Sequence, residues 1–221
     1  MDKGYTLTIG FLQLNDSVFT TWGIMLVLTV IAWFSTRNLK LFPSLIQTII
    51  ESIVVAIDEA ILAVAPEHGR KIMPFIATLW LFLIVANLVG LVPGIHSPTR
   101  DLSVTSALAV LVFFSVHWFG IRTQGLKKYL HHYLTPSPIL LPFHIISEFT
   151  RTLALAIRLF GNMMSLEMAA MLILLVAGFL APIPILMLHI IEALVQAYIF
   201  GMLALIYLAG AIQSQQLNSE E

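Results

Sequence analysis

The sequence contains no cysteine and few charged residues, and both shortages exclude whole classes of function. Without cysteine there are no disulfides, thiolate metal sites, iron–sulfur clusters or cysteine nucleophiles. Only 10% of the 221 residues are charged, whereas an average soluble domain has about 25%. Because 59% of the residues are hydrophobic, the polar side chains are too few to cover a soluble globule, which excludes a soluble enzyme. The net charge of −1, with basic residues scattered along the chain, excludes a nucleic-acid-binding surface.

Long hydrophobic runs take the place of the missing charges. A membrane crossing by a helix needs about 20 consecutive apolar residues. Five segments approach or exceed that length: residues 18–34, 72–92, 102–121, 143–180 and 185–212. The last two are too long for a perpendicular crossing, so we predict that these helices tilt or bend. The sequence thus predicts an all-α membrane protein in which residues 1–221 form one polytopic domain with about five transmembrane helices.

A sixth helical segment, residues 43–64, differs from the other five. It carries Gln47, Glu51, Asp58 and Glu59 at roughly helical spacing, which gives one polar stripe on an apolar helix. We interpret it as an amphipathic helix that packs against other helices or lies at the cytoplasmic interface. The alternative is a true span with buried carboxylates, which costs several kcal/mol for each unpaired acid.

Basic residues predict the orientation of the chain. Three clusters flank the predicted spans: Arg37 with Lys40, Arg70 with Lys71, and Arg122 with Lys127 and Lys128. If the spans alternate in direction, all three clusters fall on one side, and the positive-inside rule makes that side cytoplasmic. Five crossings then place the N-terminus outside and the C-terminus in the cytoplasm.

Three charged residues, Arg158, Glu167 and Glu192, lie inside apolar helical runs. A charge at the middle of a span costs about 2.5–3.5 kcal/mol on insertion scales, and it usually marks a functional pathway. A guanidinium does not relay protons, because it stays protonated. Arg158 is therefore interpreted as a gate that attracts a carboxylate of another subunit and blocks the passage of cations. The alternative is a structural salt bridge from Arg158 to Glu148 or Glu167.

The last helix carries a polar stripe, because His189, Glu192 and Gln196 at positions i, i+3 and i+7 share one face. This helix and the preceding one run in opposite directions, so Glu167 is predicted to face His189 and Glu192 near the outer side. Carboxylates and imidazole together form a protonatable cluster. Arg158 and Gln196 remain together nearer the middle of the membrane. A metal half-site of His189 and Glu192 is the alternative, but the sequence shows no third ligand.

The sequence around these charges resembles a known family. Residues 158–164 read RLFGNMM, Glu167 follows, and residues 189–208 read HIIEALVQAYIFGMLALIYL. This pattern resembles subunit a of the F-type ATP synthase, the stator subunit that faces the ring of c subunits. The resemblance implies that Arg158 is the essential stator arginine. It also assigns channel positions to Asn87, Asn162, Glu167, His189 and Gln196.

The implied function is ion conduction through two offset half-channels that drives rotation of the c-ring. Ions, either protons or sodium, enter from outside along Asn87, Glu167, His189 and Glu192, and they leave near Arg158. The resemblance implies c-ring and b-type peripheral-stalk partners, the lipid bilayer of a bacterial plasma membrane, no cofactor and no ATP chemistry on this chain. The alternative is a self-contained secondary ion-coupled transporter, although only one half of the chain carries intramembrane charges, whereas such transporters commonly contain repeats.

Four positions depart from the family's pattern. Gly90 stands where relatives often carry an acid, and Leu166 stands where a small residue often precedes the glutamate. Thr152 replaces a common proline, and Glu192 is an additional acid. These departures indicate a divergent branch and leave the identity of the transported ion open.

Overall fold

The computed structural model describes residues 7–9, 12–14, 16–37, 44–66, 68–92, 95–125, 141–178 and 183–213. Six α-helices make up nearly all of this part: α1 (Asp16–Arg37), α2 (Leu45–Val64), α3 (Gly69–Leu88), α4 (Leu102–Gln124), α5 (Leu141–Ala177) and α6 (Ile183–Gln213). Two three-residue strands, β1 (Leu7–Ile9) and β2 (Leu12–Leu14), form a short antiparallel ribbon ahead of α1. The predicted all-α class is confirmed.

Five of these helices are long and apolar enough to cross a membrane, namely α1, α3, α4, α5 and α6. The predicted number of five helices with the length and composition of a membrane span is therefore confirmed. The predicted fourth span, 143–180, extends too far at its end, because α5 stops at Ala177. Gly178 follows with φ +83°, a left-handed conformation that commonly ends a helix and suits glycine. Residues 179–182 lie outside the described part of the chain.

Helix α2 is not one of the five candidate spans. Ser44 caps its N-terminus, and the Gln47 side-chain amide donates to Glu51 at 2.8 Å. The C-terminal half packs against α3 and α6 through the fully buried Ile61, whereas most side chains of the N-terminal half are exposed. The structure thus bears out the expected packing against other helices. A position at the cytoplasmic interface stays a prediction.

Helix α6 is the centre of the bundle and contacts α2, α3, α4 and α5. Small residues recur on its buried face: Ala193, Ala197, Gly201 and Ala204. Such residues allow helix backbones to approach closely in a membrane, where packing rather than water exclusion holds helices together. At about 1.5 Å per residue, the 37 residues of α5 and the 31 residues of α6 both exceed the ~30 Å hydrocarbon core. Their tilt in the bilayer stays a prediction.

The contact between Trp80 on α3 and Gly201 on α6 joins two of the buried helices. The Trp80 ring stacks on Tyr198 with 6.0 Å between ring centroids and 7° between planes. Its indole N–H lies 3.4 Å from the Tyr198 carbonyl oxygen. A Cβ added at Gly201 would overlap the indole ring. The two helices therefore reach this separation only because residue 201 lacks a side chain.

Replacing Gly201 tests this close packing. We expect Gly201→Ala to destabilise the protein by about 1–3 kcal/mol, the usual cost of overpacking, because the new methyl group must displace Trp80. Thermal unfolding of the detergent-solubilised protein measures the effect.

Gly210→Ala is the matched control for this prediction. Gly210 lies on the same helix, and a Cβ there has nothing within 4 Å. Alanine is the better helix former, so this change should be neutral or slightly stabilising. Trp80→Leu combined with Gly201→Ala should recover part of the loss by making room. Equal unfolding temperatures for Gly201→Ala and Gly210→Ala would contradict the packing argument.

Candidate functional site

Arg158 lies near the middle of α5, and its side chain is exposed. The neighbouring Leu153 and Ile157 are 48% and 52% exposed, so the guanidinium projects from an apolar surface. Within the ranges that the structure describes, Arg158 has no hydrogen bond and no ion pair. The alternative salt bridge to Glu148 or Glu167 is therefore not formed there. Arg158 faces away from the bundle, where another subunit or lipid would lie.

Asn162, one turn after Arg158, connects α5 to α6. Its side-chain amide donates to the Gln196 Oε1 at 2.8 Å. Gln196 is 2% exposed, and its own Nε2 is buried without an acceptor among the described residues. Gln196 thus faces into the helix pair beside Asn162, while Arg158 faces outward. No hydrogen bond between described residues joins Arg158 to Gln196, and the bond to Gln196 comes from Asn162, one turn along α5.

Glu167 lies nine residues beyond Arg158 and is held by two side chains of the loop between α3 and α4. Its Oε2 accepts from the Arg100 Nη1 at 3.0 Å, and its Oε1 is 3.3 Å from the His96 Nδ1. Neither partner of Glu167 was predicted from the sequence. One signal was available, because Arg100 is a basic residue on the predicted outer side, which the positive-inside rule disfavours.

His189 and Glu192 do not join Glu167 in one contact cluster. His189 is 3% exposed, and its Nε2 has no hydrogen-bond partner in the described part of the chain. Glu192 is partly buried on the same helix. No hydrogen bond or ion pair between described residues connects either of them to Glu167. The predicted cluster of Glu167 with His189 and Glu192 around one outer cavity stays a prediction, and the side chains that contact the two oxygens of Glu167 are His96 and Arg100.

Asn87, near the end of α3, is fully buried in a polar network. Its amide nitrogen donates to the Ala193 carbonyl oxygen on α6 at 3.1 Å, and its Oδ1 accepts from the Thr99 hydroxyl at 2.8 Å. The Ser97 hydroxyl donates to the Ala86 carbonyl oxygen at 2.8 Å. The network ties the α3–α4 loop to α3 and α6, beside the segment that carries Glu192 and Gln196.

A cavity of about 600 Å³ opens between α1, the start of α4 and α5. Its polar lining comprises Asp16, Ser17, Arg100, Asp101 and Glu167. Part of the wall from α5 is apolar and consists of Phe160, Met164, Met168 and Met171. The cavity gives the carboxylate of Glu167 a route to the surface.

Asp101 fixes the edge of this cavity. Its carboxylate accepts from the backbone N–H of Ser103 at 3.0 Å and so caps α4. The Ser17 hydroxyl of α1 donates to the same carboxylate at 3.1 Å. Among the described residues, no group of three or more His, Cys, Asp or Glu side chains could hold a metal ion. The metal half-site alternative for His189 and Glu192 thus gains no third ligand there.

Comparisons with known proteins show which family this chain is similar to. The family described as ATP synthase A chain matches residues 18–209. A protein from Pelobacter propionicus named ATP synthase subunit a 2 is 64% identical over 206 residues, which cover 93% of this chain and 90% of that protein. A Hahella chejuensis protein named ATP synthase subunit a 1 is 66% identical over 207 residues, which cover 94% and 88%.

A third relative, from Legionella pneumophila and named ATP synthase subunit a, is 57% identical over 217 residues, which cover 98% of this chain and 94% of that protein. The family match and these identities extend over most of the chain, including all five apolar helices at least in large part. The chain therefore belongs to the family of F-type ATP synthase subunit a.

Proposed function

We propose that this chain is the stator of the ion-translocating sector, with Arg158 facing the c-ring between two offset half-channels. The observation that carries the proposal is the exposure of Arg158 on an apolar helix surface with no partner among the described residues. A permanent cation facing hydrocarbon is costly. A carboxylate on a neighbouring c subunit offsets that cost, and the guanidinium in turn favours the ionised form of the carboxylate.

The outer half-channel contains Glu167, His189, Glu192 and Asn87. Two observations support this path. A cavity opens beside Glu167, and the buried Nε2 of His189 has no hydrogen-bond partner among the described residues. Buried polar atoms of this kind suit ordered water, which can bridge groups that are not in direct contact. The ion, a proton or a sodium ion, passes from this side to the c-subunit carboxylate.

The cytoplasmic half-channel lies on the other side of Arg158. After rotation of the ring, the loaded carboxylate meets Arg158 again and releases its ion to the cytoplasm. Because a guanidinium does not lose its proton, Arg158 also blocks direct flow between the half-channels. The chain thus converts ion flow into torque and performs no ATP chemistry.

The partners in this mechanism are the c-ring, b-type peripheral-stalk subunits and the lipid of a bacterial plasma membrane. The extended apolar surface of α1, which buries only Ile24, offers area for contacts with lipid or another subunit. Membership of the subunit a family favours this function over a self-contained secondary transporter.

Arg158→Ala is expected to abolish ATP synthesis driven by an ion gradient while the complex still assembles, because Arg158 has no structural partner among the described residues. Arg158→Lys should also fail, because a compact ammonium does not reproduce the planar guanidinium and can lose its proton. Synthesis in membrane vesicles and the amount of assembled complex are the two measurements. Arg122→Ala, at the exposed end of α4, is the control and should keep synthesis. Normal synthesis by Arg158→Ala would rule out the gate.

The predicted orientation, with the N-terminus outside, has its own test. Because the chain has no cysteine, single cysteines report their side of the membrane without background. A membrane-impermeant maleimide added to intact cells should label Ile95→Cys, in the α3–α4 loop, and should not label His144→Cys, at the start of α5. Both positions are exposed. Labelling of His144→Cys from outside, with Ile95→Cys protected, would reverse the orientation and the two half-channels.

A further inference from the structure

The loop between α3 and α4 is fixed by side chains that point in two directions. Ser97 and Thr99 are 2% and 0% exposed, and they bond to the Ala86 carbonyl and the Asn87 side chain. Gly90 lies underneath, where an added Cβ would be 3.0 Å from the Ser97 Cβ. Because Gly90 has no side chain, the loop can pack closely against the end of α3.

His96 and Arg100 flank these anchors, and both reach Glu167. The Nδ1 of His96 is 3.3 Å from the Glu167 Oε1, and the Nη1 of Arg100 is 3.0 Å from Oε2. The side chains of His96 and Arg100 are 29% and 36% exposed, whereas that of Glu167 is 15% exposed. The trio thus spans the boundary between the surface and the inner wall of the cavity.

The two contacts differ in chemistry. The guanidinium of Arg100 stays charged, so it orients the carboxylate but exchanges no proton with it. An imidazole changes its charge near neutral pH, with an ordinary pKa of about 6.5. Its Nδ1 can give a proton to the Glu167 Oε1 while its Nε2 takes one from hydronium. The Nδ1–H bond breaks as the Oε1–H bond forms, and an O–H bond of hydronium breaks as the Nε2–H bond forms, which leaves water. Within the described residues, the Nε2 of His96 makes no hydrogen bond.

We infer that His96 is the proton exchanger through which Glu167 is loaded from the outer side, and that Arg100 is the residue that holds the Glu167 carboxylate in reach. This inference rests on the proposed function. It adds two loop residues to the outer half-channel and a direct route from water to Glu167 that does not pass through His189. The carboxyl group of Glu167 then passes the proton inward.

The other charged groups near the trio do not replace this role. Asp16 on α1 and Asp101 at the start of α4 line the same cavity, and Asp101 already caps α4 and binds Ser17. A partly exposed ion pair such as Arg100 with Glu167 contributes little to stability. The role of this ion pair is therefore to orient the Glu167 carboxylate.

The test uses the whole complex in proteoliposomes whose lumen corresponds to the outer side. ATP synthesis is measured at a constant total driving force while the lumen pH varies from about 5.5 to about 8, across the ordinary range of imidazole. His96→Gln should match the parent at the acidic end, where protons are abundant. At the alkaline end the rate of ATP synthesis by His96→Gln should be roughly tenfold below that of the parent. This loss is smaller than the ~100-fold rate effect of a positioned proton donor, because water replaces the imidazole in part. Imidazole trapped in the lumen should restore the rate.

Arg100 should behave differently, because it orients the carboxylate and carries no proton. Arg100→Gln should slow synthesis at every lumen pH, and Arg100→Lys should recover much of the rate by keeping the charge. The matched controls are His144→Gln, near the start of α5, and Arg122→Gln, near the end of α4. Both residues are exposed, and both variants should show the same dependence on lumen pH as the parent. ATP hydrolysis by each complex confirms equal assembly.

The outcome separates this inference from the proposed function. A His96→Gln profile that coincides with the parent, or a loss that trapped imidazole does not reverse, overturns the role of His96. Equal rates for Arg100→Gln and the parent overturn the role of Arg100. If Arg158→Ala abolishes synthesis in the same assay, the stator function stands even when either result fails. Normal synthesis by Arg158→Ala would instead remove the function on which the inference rests.

Discussion

The cost of an unsatisfied polar group in hydrocarbon decides where the ionisable and amide side chains of this bundle lie. Asn87 is fully buried and bonded at both ends of its amide, and Asn162 donates to the buried Gln196. Glu167 is held by an arginine and an imidazole. Arg158 differs from these groups because its side chain is exposed and has no partner among the described residues, whereas the unpaired Nε2 atoms of Gln196 and His189 are buried inside the bundle. The same physical rule that ties the other groups to the fold thus supports the proposal that Arg158 faces another subunit.

Close helix packing holds these groups in place. The small residues on the buried face of α6 allow α3, α4 and α5 to approach it, and Gly201 makes room for the Trp80 ring. The carbonyl of Ala193, on this same face, accepts from Asn87. A helix that moved by the size of a methyl group would disturb both packing and hydrogen bonds. The polar network and the small-residue face therefore depend on each other.

The sequence predicted the spans well, because length and hydropathy are local properties that a bilayer selects for directly. The error at the end of α5 has a local cause as well, since Gly178 follows the last helical residue, Ala177, in a left-handed conformation that ends the helix. The contacts of Glu167 with His96 and Arg100 were not predicted, for a different reason. Helical periodicity shows which residues share a face of one helix, but His96 and Arg100 reach Glu167 from a loop, where no periodicity applies.

The sequence by itself determined the all-α membrane class, the five spans and the family, because apolar length and the pattern around Arg158 are written in consecutive residues. It also singled out Arg158 as a charge with no obvious partner. Only the tertiary structure decided which polar groups satisfy one another, such as Asn162 with Gln196 and Arg100 with Glu167. These pairs join residues far apart in the chain, and their partners follow from how the helices and the α3–α4 loop pack in three dimensions.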